Sequence, residues 1–226
     1  MAATIGFASS VVLWCVWLLC HMPAIKLSTS ISGPMLLCVQ GGLVAWGCRH
    51  TPKARRVLIG TLAGATCGVV NLLLLGSKLG QATGDAVGAA APGTSGLPAS
   101  AGLIAIGFLG TSTVVGAIGG LIASLSASEI STNADRTLSW WLSAFGWIAA
   151  MATFPLLLLG GWVTSTNAGL SVPDWPGTFG SNMFLYPLSI MDRDPRVFAE
   201  HTHRLFGTLV GLTTITLLGL VLRYEQ

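Results

Sequence analysis

Six long stretches of this 226-residue chain contain almost no charged side chain, and they constrain the fold more than any motif does. They cover residues 5–25, 31–48, 57–76, 101–125, 138–163 and 197–222. About 20 apolar residues in a helix suffice to cross the hydrocarbon of a bilayer. The stretches therefore predict an all-α, polytopic bundle of about six transmembrane helices, in which the short second stretch is the least secure.

The overall composition supports a membrane protein and excludes two other classes. Of the residues, 52% are hydrophobic and 8% are charged, and the mean hydropathy is +0.74. Soluble domains carry about 25% charged residues, so a soluble globular fold is excluded. The formal net charge of +3 is too small to indicate a nucleic-acid partner.

The distribution of basic residues predicts how the helices are oriented. Four lysines and arginines lie within residues 49–56, between the second and third stretches. The positive-inside rule places this connection in the cytoplasm. Alternation then puts both termini in the cytoplasm and the loops 77–100 and 164–196 outside. Arg193 and Arg196 in the second of these loops oppose the assignment, and the four-residue cluster outweighs them.

The chain divides at its changes of composition. Residues 1–79 form a three-span membrane unit, and residues 80–100 are a linker rich in Gly, Ala, Ser and Pro. Residues 101–137 hold the fourth span and a cytoplasmic loop. Residues 138–226 form a helix pair that is joined by a long extracytoplasmic loop.

The fourth span contains a glycine pattern that is typical of tight helix packing. Gly116 and Gly120 have G-x-x-x-G spacing. Small residues at this spacing let the backbone of a neighbouring helix approach closely. We therefore predict a helix contact along this face.

Ionisable residues stand just inside the last apolar stretch. Glu200, His203 and Arg204 share one broad helical face, because residues three and four apart lie about 60° and 40° from each other. His201 lies about 160° from His203, so the spacing selects His203 for the site that Glu200 faces. Ionisable groups at membrane depth are costly, which makes a functional site the default hypothesis.

Two glycines continue the stripe that His203 begins. Gly207 and Gly211 follow it at i+4 and i+8, where small residues leave a flat recess. A neighbouring helix fits such a recess, and so does a planar macrocycle whose iron is ligated by His203. The residues by themselves favour helix packing slightly and leave both interpretations open.

The loop before this helix is longer than an ordinary helix connection, and such loops tend to be functional or disordered. Pro173 and Pro176 restrict its backbone. Trp175 is predicted to be an anchor at the membrane interface, and Asp174 is an alternative candidate for orienting a polar ligand group. Asp194-Pro195 has the form of an N-cap followed by a first helical proline, so the last helix is predicted to begin near residue 195.

Two segments together resemble the heme A synthase family. Residues 160–176 contain a glycine pair, a threonine at the helix exit and the motif Pro-Asp-Trp-Pro, and residues 200–204 have the pattern Glu-x-x-His-Arg. The resemblance covers residues 138–222. It implies four-helix halves that carry heme b between two histidines, and an enzyme that oxidises a methyl group of heme O to the formyl group of heme A.

The resemblance also implies roles for individual residues. Glu200 is similar to the catalytic glutamate near the substrate methyl group, and His203 is similar to an axial ligand of the heme iron. Arg204, Arg196 and Arg193 are candidates for pairing with heme propionates by charge complementarity. With the recess and the loop included, the predicted cofactor-binding residues are His203, Arg204, Gly207, Gly211, Asp174 and Arg196.

A second axial ligand is expected from elsewhere. In the family it lies two helices after the Glu-x-x-His-Arg helix, and this chain ends before that point. The ligand is then expected from a longer protein or from another chain, or the site is incomplete. Within this chain, the one candidate is His21. His21 stands near the outer end of the first span, at about the predicted depth of His203. His50 lies on the opposite side and is excluded by the predicted topology.

Three functional classes remain open. The first is a heme A synthase-like oxidoreductase in a bacterial-type cytoplasmic membrane, with heme O as substrate. Its expected partners are membrane lipid and either heme O synthase or a second copy of the chain. The second is a non-catalytic heme-binding or oxidase-assembly protein. The third is a structural or transport bundle in which Glu200 and Arg204 form an ion pair without a cofactor.

Overall fold

The computed structural model describes residues 1–22, 24–79, 81–82, 95–96, 99–126, 137–187, 191 and 193–224. Within these residues, six helices are long and apolar enough to cross a membrane, which confirms the predicted all-α polytopic fold. They are α1 (Ala2–His21), α2 (Thr29–Cys48), α3 (Arg56–Leu79), α4 (Ala101–Leu125), α5 (Leu138–Ser165) and α6 (Pro195–Tyr224). The second span, which was the shortest predicted stretch, is a helix of 20 residues that includes Pro34 in its second turn.

Short elements complete the described structure. Single 3-10 turns lie at Lys53–Arg55 and Met183–Leu185. Strand β1 (Gln81–Ala82) pairs antiparallel with β2 (Ser95–Gly96), and Gln81 is opposite Gly96. Strand β3 (Gly177–Thr178) pairs antiparallel with β4 (Ser181–Asn182), and Gly177 is opposite Asn182. Most of the predicted linker over residues 80–100 falls outside the described residues.

The helices run up and down between two ends of the bundle. We call one the basic end, because it carries the connection 49–56, and the other the loop end, because it carries the connection 166–194. At the basic end, Arg56 at the start of α3 donates from Nη1 to the carbonyl of Ala123 near the end of α4, at 2.7 Å. At the loop end, the Ser77 hydroxyl of α3 donates to the carbonyl of Phe184, at 3.5 Å.

Arg56 has a structural role beyond the charge that it adds to the basic end. It is only 6% exposed, and its Nε donates to the carbonyl of Thr51 at 3.2 Å. Its Nη2 donates to the carbonyl of Arg49, also at 3.2 Å. The last carbonyls of a helix have no partner within the helix, so the bond to Ala123 satisfies one of them and ties the connection to α4.

The predicted close helix contact is found between α3 and α4. Gly60 and Gly64 of α3 face Gly116 and Gly120 of α4. A Cβ added to Gly60 would lie 2.9 Å from the Cα of Gly120, and one added to Gly116 would lie 2.7 Å from the Cα of Gly64. Distances this short leave no room for a side chain. The backbones are therefore in direct contact, as expected for small residues at this spacing.

A second core joins α1, α5 and α6. Phe7 packs against Phe145 with ring centroids 5.1 Å apart, and Trp14 packs edge-on against Phe206 at 5.5 Å. Pairs with this geometry contribute about 0.5–1.5 kcal/mol beyond the burial of their area. The core continues into the loop end, where Tyr186 is buried beside α6. The connection between α5 and α6 is thus part of the packed structure.

Candidate functional site

The connection between α5 and α6 has its own hydrogen-bonded turn. Phe179 and Gly180 stand between β3 and β4 with positive φ angles of 50° and 74°. The carboxylate of Asp174 accepts hydrogen bonds from the backbone N–H groups of both, at 2.6 and 2.8 Å. Partial burial opposes ionisation of this carboxyl, but the backbone N–H groups of Gly180 and Phe179 outweigh it and lower its pKa. The predicted ligand-orienting residue thus closes a turn of its own loop.

Glu200 and Arg204 meet in the first turns of α6, as their spacing predicted. Glu200 Oε1 lies 2.6 Å from Arg204 Nη2, and the side chains are 6% and 15% exposed. The other carboxylate oxygen, Oε2, accepts a hydrogen bond from the backbone N–H of Val172 at 2.7 Å. Both oxygens of Glu200 therefore have partners, and one of these partners belongs to the loop.

Arg204 holds the loop from the same side. Its Nη2 donates to the carbonyl of Val172 at 2.8 Å, and its Nη1 donates to the carbonyl of Gly177 at 3.2 Å. Nη1 also donates to the carbonyl of Asp174. We call this arrangement the loop clamp. It pairs the two charges with each other and with several backbone groups of the loop. Ion pairs with little exposure are tolerated only when they have such additional hydrogen bonds.

His203 faces α5 instead of the clamp. Its ring is half-buried against Gly160, where an added Cβ would lie 3.2 Å from the ring atom Cε1. Its Nδ1 is buried, and no described residue provides a hydrogen-bond partner for it. Buried polar atoms are nearly always paired, so this ring nitrogen is a candidate for a ligand contact. The Nε2 of His201 is also unpaired among the described residues, but that ring has no exposed surface.

The two glycines of the predicted recess differ in their surroundings. A Cβ added to Gly207 would reach Leu156 of α5 at 4.0 Å, which is an ordinary contact. At Gly211, no atom of the described residues lies within 4 Å of an added Cβ, and the same holds for Gly161 on α5. Space is therefore open at Gly211, on the stripe that continues from His203, whereas Gly161 is exposed on the surface of α5.

His201, which the helical spacing did not select for the site, is fully buried. It has no exposed surface, its Nδ1 lies 3.1 Å from the Thr178 hydroxyl, and its ring centroid lies 5.5 Å from that of Tyr186. The spacing of the ionisable residues did not predict this group. The signal was present in the helical spacing, since His201 shares a stripe with the buried Phe198 and Leu205.

The remaining predicted residues lie apart from the loop clamp. Arg196 is exposed, and its backbone N–H donates to the Asp194 carboxylate at 2.8 Å, which confirms the predicted start of α6. Trp175 is 80% exposed, as expected for an interface anchor. His21 is buried at the loop end of α1, where Nδ1 lies 2.8 Å from the carbonyl of Trp17. Within the described residues, no group of three His, Cys, Asp or Glu side chains is arranged to hold a metal ion.

Comparison of the chain with protein-family models, with curated proteins and with solved structures finds no match in any of the three. The function is therefore inferred from the geometry of the site and from the sequence motifs. The structure brings Glu200, Arg204 and Asp174 together in one hydrogen-bonded unit, and it places His203 beside that unit against α5.

Proposed function

We propose that the α5 and α6 pair binds heme b through His203, and that the chain is a heme A synthase-like oxidoreductase of a bacterial-type cytoplasmic membrane. One observation carries the proposal: the half-buried imidazole of His203 has a buried ring nitrogen without a partner among the described residues. Neutral imidazole is a common ligand of heme iron. An ionisable residue in a membrane helix is by default a functional one.

The surroundings of His203 fit a flat cofactor better than a bulky side chain. The absence of a Cβ at Gly160 lets the ring lie directly against α5. Open space at Gly211 continues the stripe on which His203 lies. When bound, heme supplies the electron transfer that oxidation of a methyl group to a formyl group requires. A second residue to hold the heme would come from His21, from a longer protein or from another chain.

The loop clamp has two roles in the proposed function. By fixing Val172 and Gly177 over the first turns of α6, it covers the polar end of the helix pair. It also holds the Glu200 carboxylate beside the guanidinium of Arg204. Each carboxylate oxygen retains a further lone pair that is able to accept one more hydrogen bond. The proposed substrate is heme O, delivered by a heme O synthase.

A second candidate function is heme binding without catalysis, as in an oxidase-assembly protein. The observation that favours it is the engagement of both Glu200 oxygens, one by Arg204 and the other by the Val172 N–H. A carboxylate that holds a loop in place has a sufficient structural reason to be there. The two candidates share the His203 site and differ in what Glu200 does.

Replacing His203 with alanine is expected to remove the heme. The purified variant should carry more than about tenfold less heme per polypeptide than the parent, because the substitution removes an iron ligand. A pyridine hemochrome spectrum measures this content directly. The matched control is His50→Ala at the basic end, which should retain the parental heme content. Equal loss from both variants, or a parent that takes up no heme, would contradict the proposal.

Glu200→Gln separates the catalytic candidate from the non-catalytic one. Glutamine keeps an oxygen for the Val172 N–H but loses the negative charge, so heme should remain bound while conversion of heme O to heme A falls below detection. Chromatography of extracted hemes from cells that supply heme O measures the conversion. A parent that binds heme but leaves heme O unchanged would establish the second candidate. A Glu200→Gln variant that converts heme O at the parental rate would limit Glu200 to the loop clamp.

A further inference from the structure

A cavity of about 430 Å³ lies between the first halves of α2 and α4 and the second halves of α1 and α3. It is within the range of about 300–1,000 Å³ that small-molecule sites occupy. The lining residues used below are Leu13, Trp17, Leu37, Gln40, Asn71 and Thr111. Leu37 and Thr111 are exposed on the surface of the bundle. The cavity is therefore bordered by side chains that face the lipid.

Two buried polar atoms belong to residues that line this cavity and have no partner among the described residues. Trp17 is 3% exposed, and its indole Nε1 is an unpaired donor. Asn71 is 7% exposed, and its amide Oδ1 is an unpaired acceptor. Burying an unsatisfied polar group costs about 1–3 kcal/mol. Two residues that line the same cavity thus carry one unpaired donor and one unpaired acceptor, each at a cost in stability.

Neighbouring polar groups are already engaged. The Asn71 amide Nδ2 donates to the sulfur of Cys67 at 3.2 Å, which fixes which end of the amide is unpaired. The Gln40 amide Nε2 donates to the hydroxyl and the carbonyl of Ser112, at 2.7 and 2.9 Å. Gln40 is thereby tied to α4. The two unpaired atoms remain those of Trp17 and Asn71.

We propose that this cavity binds one apolar molecule with an uncharged hydroxyl head, whose oxygen accepts from Trp17 Nε1 and whose proton is donated to Asn71 Oδ1. A hydroxyl is the smallest organic group that both accepts and donates. The apolar tail lies along Leu13 and Leu37 and leaves between the helices toward the lipid. An ether head is unsuitable because it only accepts.

This site is separate from the one proposed for heme. Its described lining residues lie on α1, α2, α3 and α4, whereas His203 and the loop clamp involve α5, α6 and their connection. The His203→Ala variant should bind the hydroxyl compound as the parent does. A negative result for one of the two proposals therefore does not contradict the other.

The experiment measures equilibrium binding to the whole chain in phosphatidylcholine nanodiscs by titration calorimetry. The probes are a hydroquinone with a decyl tail, its dimethyl ether, and dodecanol. The hydroquinone should bind about tenfold more tightly than the ether, because the ether leaves the Asn71 acceptor unpaired. Tighter binding of the hydroquinone than of dodecanol would assign the site to a ring head, and the reverse order would assign it to a simple alcohol. Both orders support a hydroxyl site.

Two substitutions test whether binding occurs in this cavity. Thr111→Trp places a large ring at the exposed border and should reduce binding of the hydroquinone at least about tenfold, while Ile106→Trp should leave it unchanged. Ile106 is the matched control, because it is 68% exposed on the same helix and does not line the cavity. Asn71→Leu should remove the preference for the hydroquinone over its ether.

Four results would overturn the proposal. The first is equal affinity of the parent for the hydroquinone and for its dimethyl ether, which would mean that the hydroxyl donor does not contribute to binding. The second is an unchanged affinity in Thr111→Trp, which places the compound elsewhere. The third is a persistent preference in an Asn71→Leu variant whose circular dichroism and elution volume match those of the parent. Absence of saturable binding of either hydroxyl probe also overturns it.

Discussion

Replacing Gly116 with leucine is expected to separate α3 from α4 and to lower the free energy of unfolding by about 3 kcal/mol. A Cβ at this position would lie 2.7 Å from the Cα and 2.9 Å from the backbone nitrogen of Gly64. These are backbone atoms, which are unable to rotate away as a flexible side chain does. The helices must therefore move apart, and the loss of close packing is not replaced in lipid. Denaturant titration in detergent micelles, followed by circular dichroism, measures the change.

Gly110→Leu is the matched control for this prediction. Gly110 lies on the same helix, and no described atom is within 4 Å of a Cβ added there. The same substitution at this lipid-facing position should change the free energy of unfolding by less than about 0.5 kcal/mol. Equal destabilisation by the two variants would mean that the loss does not come from the α3 contact, since leucine has a higher helix propensity than glycine and does not weaken a helix by itself.

Replacing Arg204 with methionine is expected to release the loop between α5 and α6. The substitution keeps much of the apolar stem but removes every donor to Val172, Gly177 and Glu200. It also leaves the Glu200 carboxylate nearly buried without its cation. Breaking a buried ion pair from one side costs about 3 kcal/mol or more. We expect a matching loss in the free energy of unfolding, together with protease cleavage within residues 166–187 of the otherwise folded protein.

Arg196→Met provides the comparison. Arg196 is an exposed arginine in the first turn of the same helix, so its replacement should change stability by less than about 0.5 kcal/mol. Combining Arg204→Met with Glu200→Gln should cost clearly less than the sum of the two single effects, because the double variant leaves no buried charge. Additive losses would show that the two side chains act independently and that the loop clamp is not a unit.

The helices were predictable because each depends on residues that are neighbours in sequence. The apolar stretches predicted all six spans to within a few residues, and Asp194-Pro195 predicted where α6 begins. Hydropathy and capping are local properties, so they are readable without knowledge of the fold. The pairing of Glu200 with Arg204 was likewise accessible, since residues four apart in a helix lie on one face.

Several features of the site were not accessible in this way. The spacing grouped His203 with Glu200, whereas the structure directs the Glu200 carboxylate to Val172 of the loop and lays the His203 ring against Gly160. A loop that folds back onto its own helix is a long-range arrangement that no periodicity encodes. The burial of His201 against Thr178 is of the same kind.

The amino-acid sequence alone determined that the chain forms membrane-length helices, where they begin and end, and which of their faces carry glycines or ionisable groups. Only the tertiary structure decided that Gly60 and Gly64 receive Gly116 and Gly120, that Arg204 secures the loop, and that Trp17 and Asn71 share a cavity. The physical reason is the range of the interactions. Hydrophobicity and helix geometry act within a few residues, whereas a contact between two helices depends on how both are placed in the bundle.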